Sequence, residues 1–362
     1  MSYLPFPNKQ INIPYLCKIG EGKFNKIGKY LIDKNFNRIA LFWGEGMETL
    51  FGRQLYASLE PHGIEVIAKQ EVRFINIEEI TRIAFNLPPD LDAIVGIGGG
   101  KALDFAKYTA HLLKLPFISV PMSTSNDGFC SPGCSILVDG RRKSVKASIP
   151  FGVVLDLDII KNSPKVFFYS GLGDMISKVT ALWDWNKAFK KGYERYNDFA
   201  SLLAYNSLDL LFLKHSTDIE APEFQRSLCT SLLMSGIAME VAGTSRPASG
   251  SEHLISHALD KISARPAMHG IQVGVATYLC AMLQDNPQTA GVREILLNTG
   301  FFAFVRTKPL DKDEFIEALR IAPSIKPGYY TILSEPGSFE RAVELVDKDP
   351  ILQTIIQKNL VA

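Results

Sequence analysis

The chain has 362 residues, 46% of them hydrophobic and 21% charged, with a formal net charge of +1. This is enough for one large domain or two medium ones around a substantial core, and the balanced charge offers nothing to nucleic acid or an anionic membrane. Five scattered cysteines without CxxC spacing fit reduced thiols, the first residues lack a signal-peptide pattern, and no apolar run reaches bilayer-spanning length, so a cytoplasmic protein is expected.

An entry segment predicts a short strand at 11–14 and a helix near 23–33. A regular alternation then begins. Strands are expected at 38–43, 64–68, 91–97 and 117–120, with helices from about 46 to 60, over 77–85 and over 101–113. Continuous apolar strands alternating with helices mean a parallel sheet covered on both faces. Residues 136–138 and 144–147 flank Asp139-Gly140 as a hairpin; Arg141, Arg142 and Lys143 beside it read as solvated charges. A last strand at 153–155 ends in Asp156 and Asp158. From about residue 163 the pattern is helical, with helices expected at 173–188, 198–213, 222–241, 252–262, 271–285, 289–299, 312–321 and 339–347. The fold class is an N-terminal Rossmann-like α/β domain (1–162) followed by an all-α domain (163–362), with chemistry in the cleft between them.

Gly98-Gly99-Gly100 ends the third strand of the alternation and opens a helix. Glycines there let a ligand approach the backbone, and a helix N-terminus offers free N–H groups to phosphate; a tight turn is the plainer reading. Ser123-Thr124-Ser125-Asn126-Asp127-Gly128 closes the next strand with hydroxyls fit for a pyrophosphate or ribose, or with an ordinary Asn/Asp turn. Glu45 follows the 38–43 strand, where a carboxylate accepts from an adenosine ribose and repels a 2′-phosphate, or simply caps the next helix. Three of six histidines fall between residues 245 and 269. His253 and His257 are four apart and share a helix face, and His269 follows a break at Ala264-Arg265-Pro266. Such imidazoles ligate a divalent metal, with a carboxylate completing the set, or lie on a surface without one. Cys130 and Cys134, separated by glycine and proline, read as a loop rather than as ligands.

The segments Gly98-Gly-Gly-Lys-Ala-Leu-Asp104, Ser123-Thr-Ser-Asn-Asp127-Gly, Lys143-Ser-Val-Lys-Ala147, Ser170-Gly-Leu-Gly-Asp174, Ser245-Arg-Pro-Ala-Ser-Gly-Ser-Glu-His253 and Tyr330-Thr-Ile-Leu333 span most of the chain. Together they resemble the metal-dependent (iron-type) alcohol dehydrogenase and dehydroquinate synthase-like superfamily, and within it the sn-glycerol-1-phosphate dehydrogenases. Position by position, the resemblance implies Asp174, His253 and His269 as metal ligands. It implies Gly98, Gly99, Gly100, Lys101, Ala102, Leu103, Asp104, Met122, Ser123, Thr124, Ser125 and Ser131 on an NAD or NADP cofactor, and Asp127, His257 and Asp174 at the substrate. Asn126 departs from the His of many relatives.

The resemblance further implies interconversion of dihydroxyacetone phosphate and sn-glycerol 1-phosphate, toward a lipid backbone, in a homo-oligomer. Zinc, nickel and ferrous iron all suit one carboxylate and two imidazoles. His257 would relay a proton or orient a ligand. Arg246 is the first candidate for the substrate phosphate, because a guanidinium grips phosphate bidentately; Lys146, Lys178, Arg265 and a purely structural Arg246 stay open. A glycerol or other polyol dehydrogenase is the nearest rival, with a dehydroquinate synthase-like lyase behind it, disfavoured because that branch carries Glu where this chain has Asp174.

Overall fold

A computed structural model describes residues 11–212 and 217–358. The first ten residues, on which the signal-peptide reading rests, and Leu213, the expected end of one helix, lie outside the described residues.

In chain order the elements begin with β1 (Leu16–Gly20), α1 (Ile27–Ile32), β2 (Arg38–Gly44), α2 (Met47–Leu59), β3 (Glu65–Val72), α3 (Ile77–Asn86), β4 (Ala93–Gly98), α4 (Gly100–Leu113) and β5 (Phe117–Pro121). The hairpin β6 (Gly133–Val138) and β7 (Arg141–Lys146) precedes β8 (Gly152–Asp156) and α5 (Leu157–Ile160). Then come α6 (Lys165–Ile176), α7 (Lys178–Lys190), α8 (Asp198–Phe212), α9 (Pro222–Ala242), α10 (Ser251–Ile262), α11 (His269–Leu283), α12 (Thr289–Asn298) and α13 (Phe301–Arg306). The chain closes with β9 (Leu310–Asp311), α14 (Lys312–Ile325), α15 (Ser338–Lys348), α16 (Leu352–Ile355) and β10 (Ile356–Gln357).

Six strands form one parallel sheet in the order β1-β8-β5-β4-β2-β3. Side chains alternate along each strand between two cores, as a sheet covered on both faces requires. Ala40 and Phe42 of β2, Ile94 of β4 and Val153 and Leu155 of β8 belong to one cluster. Ile39, Leu41 and Trp43, with Val95, Ile97 and Val154, belong to the other, under α1 and α2. The first cluster does not stop at the sheet: it runs on through Leu172, Leu254, Ile255, Ile271 and Val275 of the helical half. Strand order reverses between β2 and β4, so the crevice at their carboxyl ends is where ligands of such sheets bind.

Three expectations need correction. The first strand is Leu16–Gly20, not 11–14; Pro14 cannot donate to a ladder, and pairing to β8 begins beyond it, at Leu16↔Gly152. The helix expected over 173–188 is two helices that meet at Ser177, whose hydroxyl donates to Asp174 O at 2.6 Å. The second half is not purely helical, since β9 and β10 form a short parallel ladder. The hairpin is as expected: Asp139 (φ +52°) and Gly140 (φ +71°) supply the two positive φ angles of a tight two-residue turn.

Candidate active site

The carboxyl ends of β4 and β2 abut through glycine. Gly98 adopts φ +148°, and a Cβ there would lie 3.0 Å from Gly44 N, so a larger residue would press the strands apart. Beyond it, Gly99 and Gly100 face open space, and the first turn of α4 has no side-chain cap. Next door, Thr124 Oγ1 is buried without a hydrogen-bond partner. Glycines open to approach, free helix N–H groups and an orphaned hydroxyl fit the pyrophosphate of a dinucleotide. Lys101 and Glu45 are exposed beside this edge, and Ser123 and Ser125 are half-buried.

The other residues expected on the cofactor face elsewhere. Ala102, Leu103 and Met122 bury their side chains, and the Leu103 N–H donates to Gly99 O at 3.1 Å; Leu103 therefore has no free group for a ligand. Asp104 turns its carboxylate away, accepting from Ser135 N at 2.9 Å and pairing with Lys107 at 3.1 Å. The Ser131 hydroxyl lies between Gly128 O and Gly133 O, at 3.5 and 3.3 Å.

Across the crevice Asp174 (last turn of α6), His253 (first turn of α10) and His269 (first residue of α11) converge, with one potential ligand atom of each within 4.8 Å of the others. Asp174 Oδ1 is 3.4 Å from His253 Nε2 and 3.8 Å from His269 Nε2. The approach of α6 to α11 rests on glycine: a Cβ on Gly173 would fall 1.9 Å from Gly270 O, and one on Gly270 would fall 1.8 Å from Ser170 O. Each glycine is the chain neighbour of a converging residue.

Hydrogen bonds behind the imidazoles set their tautomers. Glu252 Oε1 takes the Nδ1–H of His253 at 2.9 Å. For His269 the sequence of bonds is longer. Gln272 donates Nε2 to Ala267 O at 3.0 Å, which turns its Oε1 to accept from Ser256 Oγ at 2.7 Å. The Ser256 oxygen is thereby left to accept the Nδ1–H of His269 at 3.1 Å. Both Nε2 atoms thus point at Asp174, and once free of protons they complete with it the donor set that a divalent ion requires. A second trio, His257, Asp260 and His269, shares one member. It is the more open of the two, since Asp174 and His253 are buried and Asp260 is not.

Burial alone would neutralise Asp174, but Lys178 and then His253 outweigh it and hold its carboxyl well below the usual range. Lys178 is fully buried, donates to Asp127 Oδ2 at 3.1 Å and lies 3.8 Å from Asp174 Oδ2. Asp127 is fixed further by Ser235 Oγ at 2.7 Å, and its N–H donates to Asp174 Oδ2 at 2.9 Å. His257 stacks near His269, centroids 5.8 Å apart, and is held neutral by burial first and by His269 and Lys326 next.

Arg246 is a correction. It is fully buried, paired through Nε to Glu194 at 2.6 Å and again through Nη2, while Nη1 donates to Tyr330 O at 2.8 Å. Its guanidinium carbon lies 3.3 Å over the Tyr329 ring. With those donors committed to protein groups, it anchors the loop before α10 and does not meet a substrate. Glu252, Ser256, Gln272, Glu194 and Lys326 escaped the sequence reading; only Glu252, beside a histidine in a motif, carried a local signal.

Residues 18–164 match the family model described as iron-containing alcohol dehydrogenase. A glycerol-1-phosphate dehydrogenase [NAD(P)+] of Thermococcus sibiricus is 34% identical over 344 residues, 93% of this chain and 97% of that one. The enzyme of that name from Metallosphaera sedula is 35% identical over 350 residues, 94% and 97% of the two chains. Among solved structures, glycerol dehydrogenase from Schizosaccharomyces pombe superposes with a TM-score of 0.77 at 20% identity, covering 94% of this chain and 90% of that one. The fold, the converging trio and this near-complete alignment agree: the chain belongs to the glycerol-1-phosphate dehydrogenase family, among the iron-containing alcohol dehydrogenases.

Proposed function

We propose that this chain is an NAD(P)-dependent, metal-dependent oxidoreductase that interconverts dihydroxyacetone phosphate and sn-glycerol 1-phosphate. The observation that carries this reading is the trio of Asp174, His253 and His269 in a chain aligned almost end to end with enzymes of that name. Asp174, His253 and His269 hold a divalent ion, and zinc is the ion we assign ahead of nickel or iron. A divalent ion supplies Lewis acidity, and a nicotinamide gives or takes the hydride.

Everything else is done by the chain. Gly99, Gly100 and Lys101 cradle the pyrophosphate, with Ser123, Thr124 and Ser125 adding hydroxyls and Ser131 shaping the loop beyond. Glu45 selects NAD over NADP. Lys178 keeps Asp174 charged and pairs with Asp127, which places Asp127 to orient the substrate hydroxyls. Neutral His257 accepts the hydroxyl proton on oxidation and returns it on reduction. The division near residue 162, assembly as a homo-oligomer and a cytoplasmic setting belong to the same proposal; among the described residues no helix is long and apolar enough to cross a membrane.

The test is NADH oxidation by the metal-loaded protein with dihydroxyacetone phosphate or dihydroxyacetone, and the reverse reaction with each enantiomer of glycerol phosphate. Turnover confined to the phosphorylated ketone and the sn-1 enantiomer is expected. Turnover of glycerol or dihydroxyacetone in preference would replace this reading with a polyol dehydrogenase.

A further inference from the structure

With Arg246 committed to Glu194 and Tyr330, and Lys178 to Asp127 and Asp174, the cleft still needs a cation for a dianionic substrate. Lys146 and Arg265 are exposed, and nothing ties either to the trio. Lys326 is different. It caps the C-terminal end of α14, which packs along α10, the helix of His253 and His257. Its ammonium lies 4.8 Å over the Tyr329 ring, and the Tyr329 hydroxyl donates to Ser249 O at 2.6 Å, two residues before α10 begins. Tyrosine thus fastens the Lys326 segment to the entry of the helix that carries the histidines.

Among the described residues, Lys326 has no carboxylate within 4.0 Å, whereas the buried cations Lys107, Lys178 and Arg246 each have one. Burial, and then Arg246, makes the ammonium harder to keep charged, offset only in part by the more distant Glu252 and Glu194 carboxylates. An unpaired, largely desolvated cation gains from an arriving anion far more than a solvated one does.

Resting on the function proposed above, we infer that Lys326 is the specificity-determining cation that receives the substrate's phosphate.

The experiment compares metal-loaded wild type with Lys326→Met and Lys326→Arg. Two readouts are used: kinetics on dihydroxyacetone phosphate and dihydroxyacetone, and calorimetric binding of inorganic phosphate. Loss of one charge-assisted phosphate contact raises KM for the phosphorylated ketone by about 10- to 100-fold in Lys326→Met. Phosphate binding weakens in step, KM for dihydroxyacetone is unchanged, and Lys326→Arg recovers most of both losses. Phosphate affinity unchanged in Lys326→Met, or an equal loss on both ketones, would overturn the assignment. A wild type that ignores the substrate phosphate yet loses phosphate binding in Lys326→Met would instead overturn the proposed reaction and leave the anion seat standing.

Discussion

Glu252 shows how much a single buried side chain decides at this site. It accepts from Gly250 N at 2.6 Å and Thr180 Oγ1 at 2.7 Å while holding His253 Nδ1, so it cannot turn away from the imidazole. Glu252→Gln keeps the shape and removes the charge that makes His253 a better donor. Metal affinity should fall by about 10-fold or more, measured by competition with a chelator, without loss of folding. Arg246→Met should do the reverse. It strands Glu194, and unfolding in urea should show a loss of about 3–5 kcal/mol, while surviving enzyme keeps its metal affinity. The contrast also explains what could be read in advance. His253 and His269 lie in short motifs that the family resemblance singles out as ligands. Arg246 and Lys326 look alike in one dimension, and only the fold tells them apart: Arg246 has a carboxylate partner 52 residues away at Glu194, and among the described residues Lys326 has no carboxylate partner.

Among elements, α6 and α11 set the geometry of the trio because no side chains intervene between Gly173 and Gly270. A methyl group at Gly173 forces the helices apart, and overpacking of this kind costs roughly 1–3 kcal/mol. Gly173→Ala should therefore lower the melting temperature and, in the fraction that folds, weaken metal binding through the displacement of Asp174 from His269; calorimetry and metal analysis check the two effects. The strands and most helices were legible in the sequence because apolar runs and periodicity are local. The break at Ser177 was not, since residues on both sides of it keep one helical pattern and the helices part where Ser177 donates to Ala248 O at 3.3 Å, 71 residues away. Nor was β1 placed correctly: as an edge strand of mixed burial it is defined by β8, which follows it by more than a hundred residues.

Over the whole molecule, two buried acids pull stability in opposite directions with pH. Burial, and then Glu252, pushes Asp184 up to about 7. An acid whose pKa is raised by folding binds more protons folded than unfolded, so its contribution falls as pH climbs from about 4 to about 7. Asp174 is depressed, so its contribution is intact above the unfolded value and is lost on acidification below it. Asp184→Asn should flatten the decline between pH 4 and 7, by up to about 1.4 kcal/mol per pH unit, whatever it does to stability overall. Denaturant titrations across that window provide the check. The cluster that runs from Phe42, Ile94 and Phe105 into Leu172, Leu254 and Val275 has a thermal consequence. Neither half can melt without uncovering the apolar face of the other, so the chain forms one calorimetric unit. A heating scan of the metal-free protein should give one endotherm, and binding of the nicotinamide nucleotide alone should move that whole endotherm upward, although its seat is on the sheet.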